Sequence, residues 1–134
     1  KNYNIDIVSL PLSLANQQFC QNNYLLKLKK RGIEIHVRSI FLQGLLLSSI
    51  SELPKKFKKN KFLLEWFDWL ESKNYNSLDA SLCFIKNIKH IDKIVIGIDN
   101  LNQLKMIVKS YKKRLRYNFI KFKYSSILEN PTKW

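Results

Sequence analysis

The sequence predicts an α/β fold: about three parallel strands with covering helices, in a single domain over residues 1–134. Three observations predict it. Short β-branched apolar runs alternate with longer segments of helical spacing, in the order β-α-β-(αα)-β-α, and such alternation argues for a parallel sheet covered by helices. The first strand, helix and second strand together occupy roughly thirty residues, the size of a βαβ crossover. The chain is 46% apolar and 13% aromatic, which suits one domain with its own core and excludes a disordered composition.

The elements follow in chain order. Ile5 to Leu10 (IDIVSL) is a short apolar strand that must stop or become an edge at Pro11, because proline cannot donate to a sheet ladder. Ser13 to Gln17 reads as a polar loop. Phe19 to Arg31 reads as a helix, with Tyr24, Leu25 and Leu28 on one side and lysines on the other. Gly32 stands where a helix stops. Ile33, Ile35 and Val37 then form a β-branched strand. It runs into Arg38-Ser39, a Gln43-Gly44 turn and an apolar loop to Leu47. A simple core strand does not end this way, so something is expected to be placed at this strand end.

A loop, SSISELP, follows, and then Lys55 to Lys61, which carries five lysines and is expected to be exposed. Leu63 to Ser72 is an aromatic helix with Trp66, Phe67, Trp69 and Leu70. Ser77 offers an N-cap for a helix over Leu78 to Ile88, with Leu78, Leu82 and Ile85 at helical spacing. Ile94 to Ile96 is a buried-type strand that ends at Gly97. Asp99 or Asn100 caps a last helix, Leu101 to Lys113, whose apolar face is Leu101, Leu104, Ile107 and Val108. In sheets of this kind ligands lie beyond the carboxyl ends of the strands. Those ends are Leu10-Pro11, Arg38-Ser39 and Gly97-Ile98. Three strands alone leave two unpaired edges and much apolar surface.

The net charge is +14, from 24 basic and 10 acidic residues, of which only four are arginine. Such a balance suits a polyanionic partner. The plainer reading is lysine on solvated faces, and a nucleic-acid or membrane partner is not expected. The best nucleic-acid candidate is 105–123, where lysines interleave with Tyr111, Tyr117, Phe119, Phe122 and Tyr124; a solvated last helix and a covering tail explain it more simply. No run reaches the roughly 18 apolar residues of a membrane helix, and no signal-peptide pattern appears at the front. Cys20 and Cys83 stand apart with no metal-ligand spacing, and both are expected to be buried, reduced thiols in a cytoplasmic protein. His36 is expected to point into a core or between layers, His90 to sit on a surface loop, and Trp66 and Trp69 to pack rather than to form a ligand platform. Asp6 and Asp92 look like turn residues, and Glu65 and Asp68 like the solvent side of the aromatic helix. No metal cluster, carboxylate pair or glycine-rich phosphate loop is visible. The chain opens on Lys1 rather than Met and enters a strand almost at once, as expected of a chain with sequence missing in front.

Several of these stretches, in this order, resemble the C-terminal part of the aldo/keto reductase family. IDIVSLPLS is similar to the family's sixth strand, usually Gln-x-Pro-x-Asn. HVRSIFLQGLLL resembles its seventh strand and the loop after it. KIVIGIDNLNQLKMIV resembles the eighth strand, the cofactor-phosphate loop and the next helix. ENPTKW resembles the Pro-and-Trp ending of several members. The resemblance implies the last three βα units of a TIM (β/α)8 barrel, as a C-terminal fragment or a reduced form. It implies an oxidoreductase parent that performs NAD(P)H-dependent carbonyl reduction.

Position by position, the resemblance places Ser39, Phe41, Leu42 and Gln43 along the pyrophosphate and sugar path of the dinucleotide. Arg38 replaces the aromatic residue that usually stacks on the nicotinamide. Ser9 stands where a glutamine usually binds the carboxamide, and Ser13 where the strand's asparagine lies. Gly97, Ile98, Asp99, Asn100 and Gln103 match the loop that holds the adenosine end, at a helix N-terminus suited to phosphate. Ile107 falls where an adenine-contacting polar residue is common. The cofactor implied is NADPH or NADH, with Asp99 disfavouring a 2′-phosphate, or none bound by this chain. The family's Asp, Tyr, Lys and His tetrad belongs to earlier strands. Nothing here matches it, and neither Tyr3 nor Tyr24 has motif support. No catalytic residue is therefore assigned, and the chain is expected to be inactive alone. The partners implied are a dinucleotide and a carbonyl substrate when the full barrel is present, and a second copy of the chain otherwise, because an open parallel sheet needs cover. Two alternatives stand beside this reading: a non-catalytic homo-oligomeric scaffold or nucleotide-binding half-barrel, and a basic nucleic-acid-associated protein.

Overall fold

The computed structural model describes residues 4–117, Phe119 and Leu128. The ENPTKW ending, Tyr3, Phe122 and Tyr124 lie outside the described residues. Three strands, β1 (Ile7–Pro11), β2 (Glu34–Arg38) and β3 (Lys93–Ile94), form one parallel sheet in the order β1-β2-β3. Among the described residues, the α-helices α1 (Tyr24–Lys30), α2 (Lys61–Ser72), α3 (Ser77–Lys86) and α4 (Leu101–Lys112) accompany them. The predicted α/β class with parallel strands and covering helices is the fold observed.

β1 begins two residues later than predicted and keeps Pro11, which pairs with Arg38. Proline is tolerated there because β1 is an edge strand, and the next N–H, that of Leu12, donates to the Arg38 carbonyl at 3.0 Å. Ser13–Gln17 is not an exposed polar loop. Leu14, Ala15, Ser13 and Asn16 are all buried, with Ser13 and Asn16 bridged to each other through their backbones. The long helix predicted over Phe19 to Arg31 is broken. A single 3₁₀ turn over Gln18–Cys20 is followed by Asn22 and Asn23, both left-handed at φ 52° and 55°, before α1 starts. Asparagine tolerates that region well and so resets the chain. That 3₁₀ turn buries none of its residues, and Cys20, expected to be buried, is exposed; Cys83 is buried, and both are free thiols.

The end of α1 follows prediction. Gly32, at φ 75°, donates to Lys29 O, and Ile33 N–H reaches back to Leu28 O at 3.2 Å. This is a Schellman stop, with apolar Ile33 returning toward Leu28, and it aims the chain directly into β2. The helix predicted to start on a Ser77 cap is capped one residue earlier, by the Asn76 side chain on Asp79 N–H. Asn60 caps α2 in the same way, through Leu63 N–H. Asn100 caps α4 through Gln103 N–H, as one of the two predicted candidates.

Side chains alternate across a strand, and here the two faces have different fates. Val8 and Leu10 of β1, Ile35 and Val37 of β2, and Ile94 of β3 turn toward α1 and α3, where Leu25, Leu82 and Ile85 complete one core. The opposite face carries Ile7 and Ser9, Glu34 and His36, and Lys93. His36, expected inside a core or between layers, lies on this second face and bonds Glu34 at 2.8 Å. β3 has only two paired residues, and Val95, predicted as strand core, is 49% exposed. Among the described residues, both outer edges of the sheet are unpaired.

A second core gathers on α2, where Phe62, Leu63, Trp66, Phe67, Trp69 and Leu70 pack against Leu42, Leu45, Leu46, Leu53 and Phe57. Trp66 and Trp69 stack at 5.4 Å and serve as core, as predicted. The apolar face of α4 behaves oppositely. Leu101, Leu104 and Val108 are 61%, 39% and 41% exposed, because the side that α4 turns to α3 carries Ser110, bonded to Asp79.

Candidate functional site at the strand ends

Four residues just beyond β2 have left-handed backbones: Ser39 (φ 59°), Leu42 (φ 51°), Gln43 (φ 53°) and Gly44 (φ 87°). Each non-glycine residue held there costs roughly 1 kcal/mol or more and persists only when its surroundings impose it. The imposing contacts are visible. Leu42, Leu45 and Leu46 sink into the aromatic core, and the Trp66 indole donates to Leu46 O at 3.0 Å. The aromatic helix thus pins the loop, and the loop folds back as a wall beyond the carboxyl end of β2.

The opposite wall comes from the segment after β3 and the first turns of α4. Val95 N–H still bonds Val37 O at 2.8 Å, which keeps this segment beside β2 before it diverges toward Gly97. Gln103 ties the turn into α4: its amide oxygen accepts from Asp99 N–H at 2.8 Å, and its backbone N–H donates to Asn100. Between the two walls lies a cleft of about 610 Å³.

Of the residues the sequence singled out, the cleft brings together Arg38, Ser39, Phe41 and Gln43 from one wall and Gly97, Asp99 and Gln103 from the other. Ile107 lines it too. Five others do not line it. Ser9 is on the uncovered sheet face opposite His36, Ser13 is buried beyond β1, Leu42 is buried in the aromatic core, Ile98 is exposed, and Asn100 is occupied as the α4 cap. Sequence reasoning missed Leu47, Leu78, Ile96 and Met106, which supply apolar wall. Leu78 and Met106 lie at helical positions that look like ordinary core, so only the folded geometry places them here.

The polar content of the cleft is a guanidinium (Arg38, with Ser39 Oγ at 3.4 Å), a hydroxyl, two amides and one carboxylate. That set can hold a polar, anionic molecule that also carries a flat apolar part. It contains no pair of groups arranged for proton transfer. A titratable cluster of Glu34 with Lys93 and His36 belongs to the uncovered sheet face; Lys93 first, then His36, holds the Glu34 carboxyl below its usual range. Among the described residues no group of His, Cys, Asp or Glu could hold a metal ion, and no helix is long and apolar enough to cross a membrane.

No family model and no curated protein matches the chain. Solved structures do. The apo form of the aldo-keto reductase AKR11C1 from Bacillus halodurans superimposes with a TM-score of 0.65 at 15% identity, over 86% of this chain and 40% of that one. The holo form gives a TM-score of 0.61 at 15% identity, over 85% and 39%. The chain spans about two fifths of the length of these structures. Its fold is that of a partial (β/α)8 barrel, similar to that share of an aldo-keto reductase.

Proposed function

We propose that this chain is the cofactor-holding part of an aldo/keto reductase-like oxidoreductase, and that its cleft takes the adenosine and pyrophosphate portion of a nicotinamide dinucleotide. The observation that carries the reading is the strand-end cleft itself. It sets Arg38, Ser39 and Gln43 on one wall against Asp99 and Gln103 on the other. Its donor set fits the group: a guanidinium and a hydroxyl for phosphate oxygens, apolar Phe41 and Ile107 for a flat base, and one carboxylate for ribose hydroxyls. Asp99 repels a 2′-phosphate, so NADH is the preferred form over NADPH. When bound, the nicotinamide supplies the hydride for carbonyl reduction. This chain's own residues bind and orient. The resemblance assigns Ser9 and Arg38 to the nicotinamide end, although Ser9 lies on the sheet face outside the cleft, and the proton donor comes from outside the chain.

Titration with NADH and with NADPH tests this, read by fluorescence of the reduced nicotinamide. Saturable binding with NADH tighter than NADPH is expected, and no saturable change with either ends the proposal. Carbonyl reduction by the chain alone is expected to be absent.

The uncovered sheet face supports a second element, a homo-oligomer in which a further copy covers Ile7 and the α4 stripe. Light scattering on the isolated chain is expected to give more than the 16.0 kDa of one copy, and a strictly monomeric mass sinks this element alone.

A further inference from the structure

At the carboxyl ends of α3 and α4 lies another cleft, of about 230 Å³. Its polar lining is Asp79, Cys83, Lys86 and Asn87 from α3 and its cap, Ser110 of α4, and Lys113, Arg114 and Arg116 from the segment leaving α4. Four cations thus face one carboxylate. Two of the four are tied down. Lys113 pairs with Asp79 at 2.5 Å, and Lys86 donates to the carbonyls of Tyr111 at 2.6 Å and Lys113 at 3.0 Å. These are carbonyls at the end of a helix, which need such donors. The two ties fix the frame of the cleft. The remaining two, Arg114 and Arg116, have no ion-pair partner among the described residues.

Both line the cleft, two residues apart in sequence, just after the chain leaves α4 at Lys113 (φ −64°, ψ 138°). The chemistry is selective as well. Only four of the 24 basic residues are arginine, and two of those four line this cleft. A guanidinium fork matches phosphate oxygens in a way that a lysine point charge does not. The volume falls below the range of about 300–1,000 Å³ usual for drug-sized ligands, which suits a small anion.

We propose that this cleft binds two linked phosphoryl groups, either free pyrophosphate or the terminal phosphates of a nucleotide, with Arg114 and Arg116 as the binding forks. It is separate from the strand-end cleft, with which it shares no lining residue, and it does not rest on the dinucleotide reading.

Calorimetric titration of the whole chain with pyrophosphate, ATP and AMP, at near-physiological salt, tests it. One saturable site for pyrophosphate or ATP, with AMP at least tenfold weaker, is expected. Pyrophosphate binding without ATP binding identifies the free anion, and comparable binding of both identifies the phosphate tail. The double variant Arg114→Gln/Arg116→Gln should weaken binding by roughly tenfold or more. Lys58→Gln/Lys59→Gln, which removes equal charge from an exposed turn, should leave it unchanged, and NADH titration should be the same in both variants. Absence of saturable binding overturns the proposal. So does equal weakening by both double variants, which would mark diffuse charge attraction. An oligonucleotide that binds in an Arg114- and Arg116-dependent way while pyrophosphate and ATP do not also overturns it and assigns the cleft to nucleic acid.

Discussion

The molecule holds two apolar helix faces with opposite fates. The face of α2 is closed on all sides: Trp66 is fully buried, and rings and leucines from the loops around it complete the core. The face of α4 carries apolar residues at the same helical spacing, yet Leu101, Leu104 and Val108 remain substantially exposed. Periodicity alone therefore does not say whether a face is satisfied within a chain. α2 is surrounded by segments from across the chain, Leu14 and Leu46 from before it and Tyr117 and Phe119 from beyond α4. α4 follows the edge strand β3 in the chain and packs on α3, and no further strand pairs with β3 among the described residues. The strand-end cleft sits between the two regimes, with one wall anchored by α2 and the other built from the less buried β3-to-α4 segment.

Removing the anchor on the closed side should have the largest effect. Trp66→Ala deletes a fully buried indole and leaves Leu46 O without its donor, so a loss of about 3–5 kcal/mol is expected in urea unfolding. Where enough protein remains folded, the left-handed loop at 39–44 should loosen and NADH binding should weaken with it. A loss below about 1 kcal/mol would mean that α2 is not the anchor. Trp66→Phe separates the terms: it keeps most of the packing and removes only the hydrogen bond, worth about 1 kcal/mol net.

On the open side the expected anchor is polar. α4 docks on α3 through the buried Asp79 carboxylate, which accepts from Ser110 and Lys113. Asp79→Asn should cost about 1–3 kcal/mol, reduced from a fully buried pair by the partial exposure of Lys113. Hydrogen exchange should show the loss confined to α4, with α2 amides still protected, since stability is local where packing is sparse. Equal loss in both helices would make the two regions one cooperative unit and remove the contrast.

The strands, the crossover and the helix stops were legible because each rests on strong local chemistry. β-branched runs make β2, Gly32 turns the chain at φ 75°, and Pro11 marks the edge. What was not legible depends on neighbours distant in sequence. The caps at Asn60 and Asn76 were missed beside equally plausible residues. The exposure of Val95 follows from the unpaired sheet edge, which no local pattern encodes. Within the strand-end cleft, Arg38, Ser39, Gln43 and Asp99 stood out as polar residues at predicted strand and helix ends, and the family resemblance added Gln103. Leu47, Leu78 and Met106 did not, because an apolar side chain lining a cleft looks the same in sequence as one in a core.

The less buried wall also sets the expected cofactor preference. Asp99→Ser removes the carboxylate while its N–H can still reach Gln103 Oε1. The ratio of NADPH to NADH affinity should rise roughly tenfold, because about 1 kcal/mol or more of charge repulsion is lost in a partly screened setting. A ratio unchanged by the substitution would place the ribose elsewhere and detach Asp99 from the site.

The smallest effect expected lies where the covered sheet face meets the open edge. Asp92 precedes β3 and accepts from Ile35 N–H at 2.7 Å and from Lys29 at 2.8 Å, so one carboxylate joins α1, β2 and the start of β3. The Ile35 N–H first, and Lys29 second, hold its pKa below the ordinary 3.8. A carboxylate with a lowered folded-state pKa contributes stability above its unfolded value and loses it as pH falls through the folded one. The contribution should be full from neutral pH down to about 5 and should fade below about 4. Partial exposure limits it to about 1 kcal/mol. Urea midpoints for the wild type and Asp92→Asn should therefore differ at pH 7 and converge toward pH 3. A difference that persists unchanged to pH 3 would mean that Asp92 acts through its shape and not its charge, and that backbone bonds hold β3 to the sheet.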